Sequence, residues 1–441
     1  MRTGNRELAL LLPATLLTTL GFALLYTRGA QELSPASLVY GGIFLGLFGI
    51  VHLARRLLVP MADPYLLPVT AVLSTIGILM IYRLNPSRAL DQALWLIVGL
   101  AVFVLILGCF RRHFSLLSDY KYLIGLLGIG LLLATIVFGR EINGAKLWIY
   151  VGSRGIQPPE FAKLMLVVFF AAYLADVREL LTVSTSRFLG MAIPPVRYLS
   201  PLLLVWALSL ALMIFMKDLG TSLLFFGALL ALLYVATGRL LYVVAGVVLF
   251  AGGAYVLYQI FPHVQLRVDI WLDPWVDPSG RGYQILQSLF ALAAGGVFGR
   301  GLGDGYLLTT QGQPLIPAAE TDFIFSAIGE ELGLVGGVAV ILLYVIFLYR
   351  AIHVAISARD DFSRLLAAGL GAIFGLQAFL ILGGVTKLIP LTGITLPFVS
   401  YGGSSIVANF GLLALLLLAS EQGARERAAE RVPVVVGGGD G

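Results

Sequence analysis

The sequence predicts an all-α polytopic membrane protein: about twelve transmembrane helices and one large extracytoplasmic loop with interfacial helices. Three observations point there. Of 441 residues, 59% are hydrophobic and 12% charged, against roughly 45–50% and about 25% in soluble domains. No soluble fold could hide that much apolar surface. Windows such as Leu240–Ile260 and Leu332–Tyr349 are long enough to cross a hydrocarbon core about 30 Å thick at about 1.5 Å per residue. Basic residues also gather in alternate short loops, which is the signal that orients such a chain.

In chain order, spans are expected at 7–27, 37–54, 65–82, 92–110, 120–138, 160–177, 199–216, 220–237, 240–260, 332–349, 365–386 and 400–420. The first run is followed by further spans and reads as a helix rather than a cleaved signal peptide. An even count puts both termini on one side. With that side cytoplasmic, the inner loops hold Arg55, Arg56, Arg111, Arg112, Arg178, Arg350, Arg359 and Arg364, and the tail adds Arg425 and Arg427. The positive-inside bias therefore favours cytoplasmic N and C termini. The net charge of +5 sits in these loops and gives no nucleic-acid footprint. A single cysteine, Cys109, excludes an intrachain disulfide. The chain divides into two leading helices (1–62), a core (63–421) with its outer loop at about 261–331, and a cytoplasmic tail (422–441) expected to be disordered. A medium outer loop runs from 139 to 159.

Polar stretches interrupt the apolar spans, all toward the outer half. In "GIQPPEFAKLML" the prolines start a helix, and Glu160 and Lys163 share a face at i, i+3. They could be a pair snorkelling to the interface, or Lys163 could face a cavity and meet an anionic group. Upstream, Trp148 could stack on a sugar or sit in the interfacial aromatic belt. "MKDLGTS" (216–222) reads as a tight turn between two spans.

"WLDPWVDPSGRGYQ" (271–284) carries two Asp-Pro pairs. Each aspartate could cap a helix start, with proline in the first helical position. Gly280 and Gly282 would permit the turn, and Tyr283–Ala294 would follow as an amphipathic helix. The setting also suits chemistry: a carboxylate at the mouth of a membrane cavity, with Arg267, Arg281 and Gln284 close in sequence, can handle a proton or a cation.

In "AAETDFIFSAIGEELG" (318–333) Thr321 and Asp322 could cap an interfacial helix. Glu330 and Glu331 would then mark a break before the span, which fits better than one helix with two buried glutamates. Acids gathered there could hold a divalent cation. In "GGVTKLIPLTGITLPFVSYGGSS" (383–405) Pro390, Gly393 and Pro397 forbid one regular helix. Irregular backbone at membrane depth needs protein or a water-filled cavity to satisfy it. Lys387, Ser400, Tyr401 and Gly402 lie in this stretch. No P-loop, dinucleotide fingerprint, nucleophile elbow or zinc spacing is present, so no organic cofactor is expected.

Taken in order, five of these stretches resemble the SEDS family of peptidoglycan polymerases, the RodA/FtsW/SpoVE proteins: Gln157–Lys163, Asp218–Thr221, Asp273–Gln284, Thr321–Gly333 and Leu396–Ser405. The resemblance runs from about Asp63 to Glu421, ten of the twelve spans, and is closest to the RodA type with two extra N-terminal spans. Pro159 stands where serine is usual, and Met216-Lys217 where Gln-Pro is usual.

The resemblance implies polymerisation of the lipid-linked precursor lipid II into glycan strands at the outer face of the bacterial cytoplasmic membrane. That activity serves elongation and shape (RodA-like), with division (FtsW-like) the lesser expectation. It implies Asp277 as the essential aspartate and a class B penicillin-binding protein as transpeptidase partner. A sugar hydroxyl attacking an anomeric carbon must lose a proton, a task for a carboxylate base worth about 10²–10⁴-fold. The departing diphosphate needs a cation: Lys163, Lys387 or Arg267, or Mg²⁺ or Mn²⁺ held by Asp277 with Glu330 and Glu331. Substrate contacts are expected from Trp148, Glu160, Lys163, Arg267, Thr321, Asp322, Lys387, Ser400, Tyr401 and Gly402. The rivals are a lipid II flippase or polyprenyl-linked carrier, and a scaffold that only recruits its partner.

Overall fold

The computed structural model describes residues 3–28, 36–142, 145–152, 154–182, 186–188, 191–193, 196–307 and 315–430. Helices α1 (Thr3–Arg28) and α2 (Ala36–Leu58) lead into α3 (Leu66–Leu84), α4 (Pro86–Phe110), a single turn α5 (Leu116–Asp119) and α6 (Lys121–Phe138). Strands β1 (Arg140–Ile142), β2 (Ala145–Val151) and β3 (Arg154–Ile156) form a small antiparallel sheet before α7 (Pro158–Thr182). A hairpin of β4 (Ser186–Phe188) and β5 (Met191–Ile193) precedes α8 (Val196–Phe215), α9 (Leu219–Thr237) and α10 (Leu240–Ile260). The outer segment holds α11 (Pro262–Leu272), a 3₁₀ turn at Pro274–Val276 and α12 (Tyr283–Gly295). The chain closes with α13 (Ile324–Ser357), α14 (Asp361–Val385) and α15 (Gly403–Glu430).

Eleven described helices are long and apolar enough to cross a membrane. A further long helix, α7, matches the sixth expected span and carries Glu160, Lys163, Asp176, Arg178 and Glu179. The polytopic helical membrane bundle is thus as the hydropathy predicts, with two small sheets added outside the spans. Helix α15 lies at the centre, 94% of its span window buried, whereas α10 at the edge buries 6%. Ends are set by local chemistry. The Asn85 side chain accepts from the Arg88 N–H and Pro86 opens α4, while Asp218 and Asp360 cap α9 and α14 by accepting from Thr221 and Ser363 N–H. Gly238, left-handed at φ 68°, closes α9.

Four features depart from the reading of the sequence. Residues 422–430, expected to open a disordered tail, continue helix α15. The 139–159 loop is a β-hairpin sheet, whose Gly155 packs against the Trp148 ring. Helix α11, not expected, starts at Pro262 directly after α10. The break before the tenth span falls at Gly333 (φ 67°, ψ −168°), after the glutamates, so Glu330 and Glu331 are buried inside α13. There the loop after α12 repairs the interrupted helix. Arg300 and Gly301 N–H donate to the Glu330 and Glu331 carbonyls, and Leu334 and Val335 N–H donate to the Gly296 and Val297 carbonyls, all at 2.9–3.1 Å. Four backbone groups at the break, the Glu330 and Glu331 carbonyls and the Leu334 and Val335 N–H groups, are thereby paired, as irregular chain inside a membrane protein requires.

Ion pairs of Arg350 with Asp63, Arg178 with Asp361, Lys121 with Asp176 and Arg359 with Glu430 cluster at one end of the bundle. The polar stretches gather at the other.

Candidate active site

The irregular chain between α14 and α15 is the platform of the site. Its carbonyls and N–H groups find five side chains from four surrounding helices. Arg267 of α11 donates to the Leu391 and Thr392 carbonyls at 3.2 and 2.9 Å. Trp271 Nε1 donates to the Lys387 carbonyl at 3.1 Å. Gln377 Nε2 of α14 donates to the Thr395 carbonyl at 2.8 Å, Tyr344 of α13 donates to the Pro397 carbonyl at 2.6 Å, and Gln92 of α4 accepts from Gly402 N–H at 3.1 Å. Close approach explains one glycine here: a Cβ at Gly77 would lie 2.6 Å from the Val399 carbonyl oxygen.

Four of the five stretches meet around this platform. Lys163, nearly inaccessible, donates to Glu160 Oε2 at 2.6 Å and to Gln377 Oε1 at 2.9 Å. It is therefore matched inside the protein rather than presented to a ligand; a charge one turn inside a span is tolerated only with such partners. Gln157 N–H donates to Ser404 Oγ at 2.8 Å. Ser400 Oγ donates to the Thr321 carbonyl at 2.5 Å and accepts from Leu396 N–H. Tyr401 N–H donates to the Glu320 carbonyl at 2.8 Å, and its ring lies under the Arg88 guanidinium, 5.1 Å from the centroid. Gln157, Glu160, Asp218, Thr221 and Thr395 line an open cleft of about 370 Å³, floored by Leu147, Pro159, Gly393 and Ile394.

Burial sets the electrostatics. It pushes the Asp322 carboxyl up to about 6, against the Thr321 hydrogen bond and the nearby Arg267 charge. The same cause raises Asp218, opposed mainly by its Thr221 partner. Burial lowers Arg267, with the Asp218 and Asp322 charges opposing that drop. Arg267 thus lies between two reluctant carboxylates and is largely spent on the platform backbone.

The remaining stretch forms the rim. Asp273 caps the 3₁₀ turn by accepting from Trp275 N–H. Asp277, half-buried, accepts from Gly280 N–H through Oδ1 and from Arg281 N–H through Oδ2, both at 3.0 Å. Both aspartates therefore hold turns. Asp277 differs in having both oxygens fixed, each with acceptor capacity left over. Gly280 and Gly282 are required by close approach: a Cβ would lie 2.5 Å from Asp277 Oδ2 and 2.0 Å from the Pro274 carbonyl oxygen. Lys387, left-handed at φ 61°, reaches back to the Leu272 carbonyl, which brings it to the loop that carries Asp277. Helix α12 anchors this loop from below through Ser288, bonded to Ser326 and to the Val385 carbonyl.

Glu330 and Glu331 are not gathered with Asp277. Glu330 accepts from Tyr306 and Leu307 N–H, and Glu331 accepts from Gly303 N–H and Arg83. Among the described residues no three histidine, cysteine or acidic side chains could hold a metal ion. These three acids do not fit a shared divalent site, because the glutamates already serve the loop backbone. Trp148 lies on β2, half-buried. Thr321 is turned to the Ala318 carbonyl. Lys217, which the sequence left without a role, lies 3.5 Å from Glu141 of the sheet.

Sequence reasoning missed Gln92, Gln377, Glu320 and Arg88. Single polar residues in long apolar helices leave hydropathy nearly unchanged, so Gln92 and Gln377 gave little signal.

A model of the cell cycle protein family of FtsW, RodA and SpoVE matches residues 57–424. The chain is 45% identical to the peptidoglycan glycosyltransferase RodA of Mycobacterium tuberculosis over 98% of this chain and 94% of that one. It is 32% identical to stage V sporulation protein E of Bacillus subtilis over 80% and 96%. Among solved structures, a chain of a peptidoglycan synthase complex superposes with a TM-score of 0.67 at 28% identity, covering 82% of this chain and 98% of that one. The rod shape determining protein RodA of Thermus thermophilus gives 0.56 at 26%, over 81% and 96%. With its polar stretches gathered at one end of a helical bundle and a family match across most of its length, the chain belongs to the FtsW/RodA/SpoVE family.

Proposed function

We propose that this protein is a RodA-type peptidoglycan glycosyltransferase that polymerises lipid II at the outer face of the bacterial cytoplasmic membrane. The identity shared with RodA over nearly the whole chain supports this reading. The observation that carries it is Asp277, fixed by two backbone N–H groups and given room by Gly280, on the rim of a polar platform built into the bundle.

In this reading Asp277 accepts the proton of the attacking sugar hydroxyl through a free lone pair. Lys387, tethered to the Leu272 carbonyl of the same loop, is the cation for the departing diphosphate. Arg267 and Lys163 shape the platform and act on substrate only through it. The precursor's lipid tail stays in the bilayer while its head group enters from the rim. The arginine-rich end of the bundle faces the cytoplasm. A class B penicillin-binding protein crosslinks the strands, as suits a chain that superposes on part of a peptidoglycan synthase complex.

The test is polymer formation from lipid II by purified protein. Asp277→Asn should fall about 10²–10⁴-fold while inserting and folding normally, and Asp273→Asn should fall far less. Parental polymerisation by a folded Asp277→Asn protein would overturn the assignment. Flipping of lipid II without polymer from the parent protein would return the chain to the carrier class.

A further inference from the structure

The end of the bundle opposite the platform carries a second concavity, an open cleft of about 510 Å³. It lies between the loop that joins α2 to α3, the last turns of α13 and the later half of α15. Asp63, Arg350, His353, Ser357, Ser420 and Arg427 supply its polar lining. From Ser326 near the platform to Arg350 is most of the length of α13, about 36 Å at 1.5 Å per residue, so this site is far from the chemistry described above.

Its charge balance favours an anion. Asp63 accepts from Arg350 Nε at 2.9 Å, and that guanidinium also lies 4.7 Å from the Tyr65 ring centroid. Asp63 is further fixed by its own N–H donating to Ser420 Oγ at 3.0 Å. Arg350 is therefore matched. The neighbouring Glu421 is matched too, by Met61 N–H and Arg425. Arg427 donates one N–H to the Ser357 carbonyl, and a guanidinium has about five such donors. Arg427 and His353 are left as the surplus basic groups of the cleft.

The wall beside the cleft says which anion. On α13, Tyr349, Ile352, His353 and Ile356 follow helical i, i+3, i+4, i+7 spacing and form one stripe. Tyr349, Ile352 and Ile356 are 61%, 47% and 77% exposed. An apolar stripe of that kind on a membrane helix faces lipid chains, and His353, its ring stacked with that of Tyr349, stands where the stripe meets the cleft. A basic hollow between membrane helices, opening onto a lipid-facing stripe, has the chemistry of a phospholipid headgroup site.

We propose that this cleft binds the phosphate of an anionic membrane lipid, with Arg427 and His353 as its ligands and the acyl chains lying along Tyr349, Ile352 and Ile356. The loop at Met61–Pro64, which ties the two leading helices to the core, forms the opposite wall. An occupied site would hold that junction closed.

Native mass spectrometry of the full chain in detergent, offered equal phosphatidylglycerol and phosphatidylcholine, tests this. The parent protein should retain phosphatidylglycerol about fivefold or more over phosphatidylcholine, and H353Q/R427Q should lose about fivefold of that retention. Arg427→Lys, which keeps the charge, should preserve much of it. Equal retention of the two lipids by the parent protein overturns the proposal whatever the variants do, as does unchanged selectivity in a folded double variant. Displacement of bound lipid by millimolar inorganic phosphate, with equal stabilisation by phosphate alone, would assign the cleft to a soluble phosphate instead and overturn the lipid reading.

Discussion

The N–H of Gly280 lies 3.0 Å from Asp277 Oδ1, while the space a Gly280 side chain would need is taken by the same carboxylate, 2.5 and 2.6 Å from its two oxygens. The glycine donates to the aspartate and makes way for it. Gly280→Ala is therefore expected to swing the Asp277 side chain out of place without touching any buried contact. Lipid II polymerisation should fall about 100-fold, the scale of a 1 Å misplacement at a reacting group, with expression and melting temperature near parental. Parental polymerisation by Gly280→Ala would show that the orientation of Asp277 does not matter.

Lys163, Glu160 and Gln377 form one buried chain of hydrogen bonds. Lys163→Met leaves the Glu160 carboxylate without its cation and should destabilise the protein by about 3–5 kcal/mol. Pairing it with Glu160→Gln should recover a good part of that loss. Thermal unfolding in detergent reads both. Equal melting of the single and double variants would argue against coupling.

Asp322 gives a pH signature. Its carboxyl is raised from the ordinary 3.8 to about 6 by burial, so the folded protein binds more protons than the unfolded chain in that interval. The stability it contributes is complete below the lower value and is lost as pH rises through the upper one. Asp322→Asn should therefore gain stability relative to the parent as pH rises across this window, and hold a constant difference above it. Parallel melting curves across the window would contradict the shift.

Gly333 cannot take a side chain: its φ is 67°, and a Cβ would meet Gly299 N at 2.2 Å. Gly333→Ala is expected to cost roughly 1–3 kcal/mol for the backbone conformation alone, plus the four hydrogen bonds across the break. Size-exclusion profiles of the variant should show loss of folded protein, whereas Gly337→Ala, whose Cβ would meet only the Phe325 ring at 3.4 Å, should be milder.

Much of this architecture was legible in the chain because apolar length and basic loops are strong signals. The spans from Leu66 to Thr237 fall within a few residues of their expected places, apart from an earlier start to α4 at Pro86. The turn chemistry of Asp273, Gly280 and Gly282 was readable for the same reason: few residues can stand there. The sheet at 140–156 was not, since strands of three to seven residues give no periodicity to count. Glu330 and Glu331 looked like a boundary because two buried acids in a span are costly. They are accommodated by N–H groups from residues 303–307, partners more than twenty positions away that no local pattern announces. Of the two readings open for Lys163, the i, i+3 pair with Glu160 is the one formed, while its second partner Gln377 lies on another helix and gave no local sign.

The repair at Gly333 also has a mechanical meaning. The loop after α12 and the two halves of α13 share four backbone hydrogen bonds in place of those the helix lacks. Neither can shift along the other without stranding donors and acceptors in an apolar setting. A torque on the span would thus reach α12 and the Asp277 loop above it as a rigid-body rotation rather than be absorbed as bending. The joint is a splice, and the amides of Arg300, Gly301, Leu334 and Val335 should exchange with solvent as slowly as those of an unbroken helix.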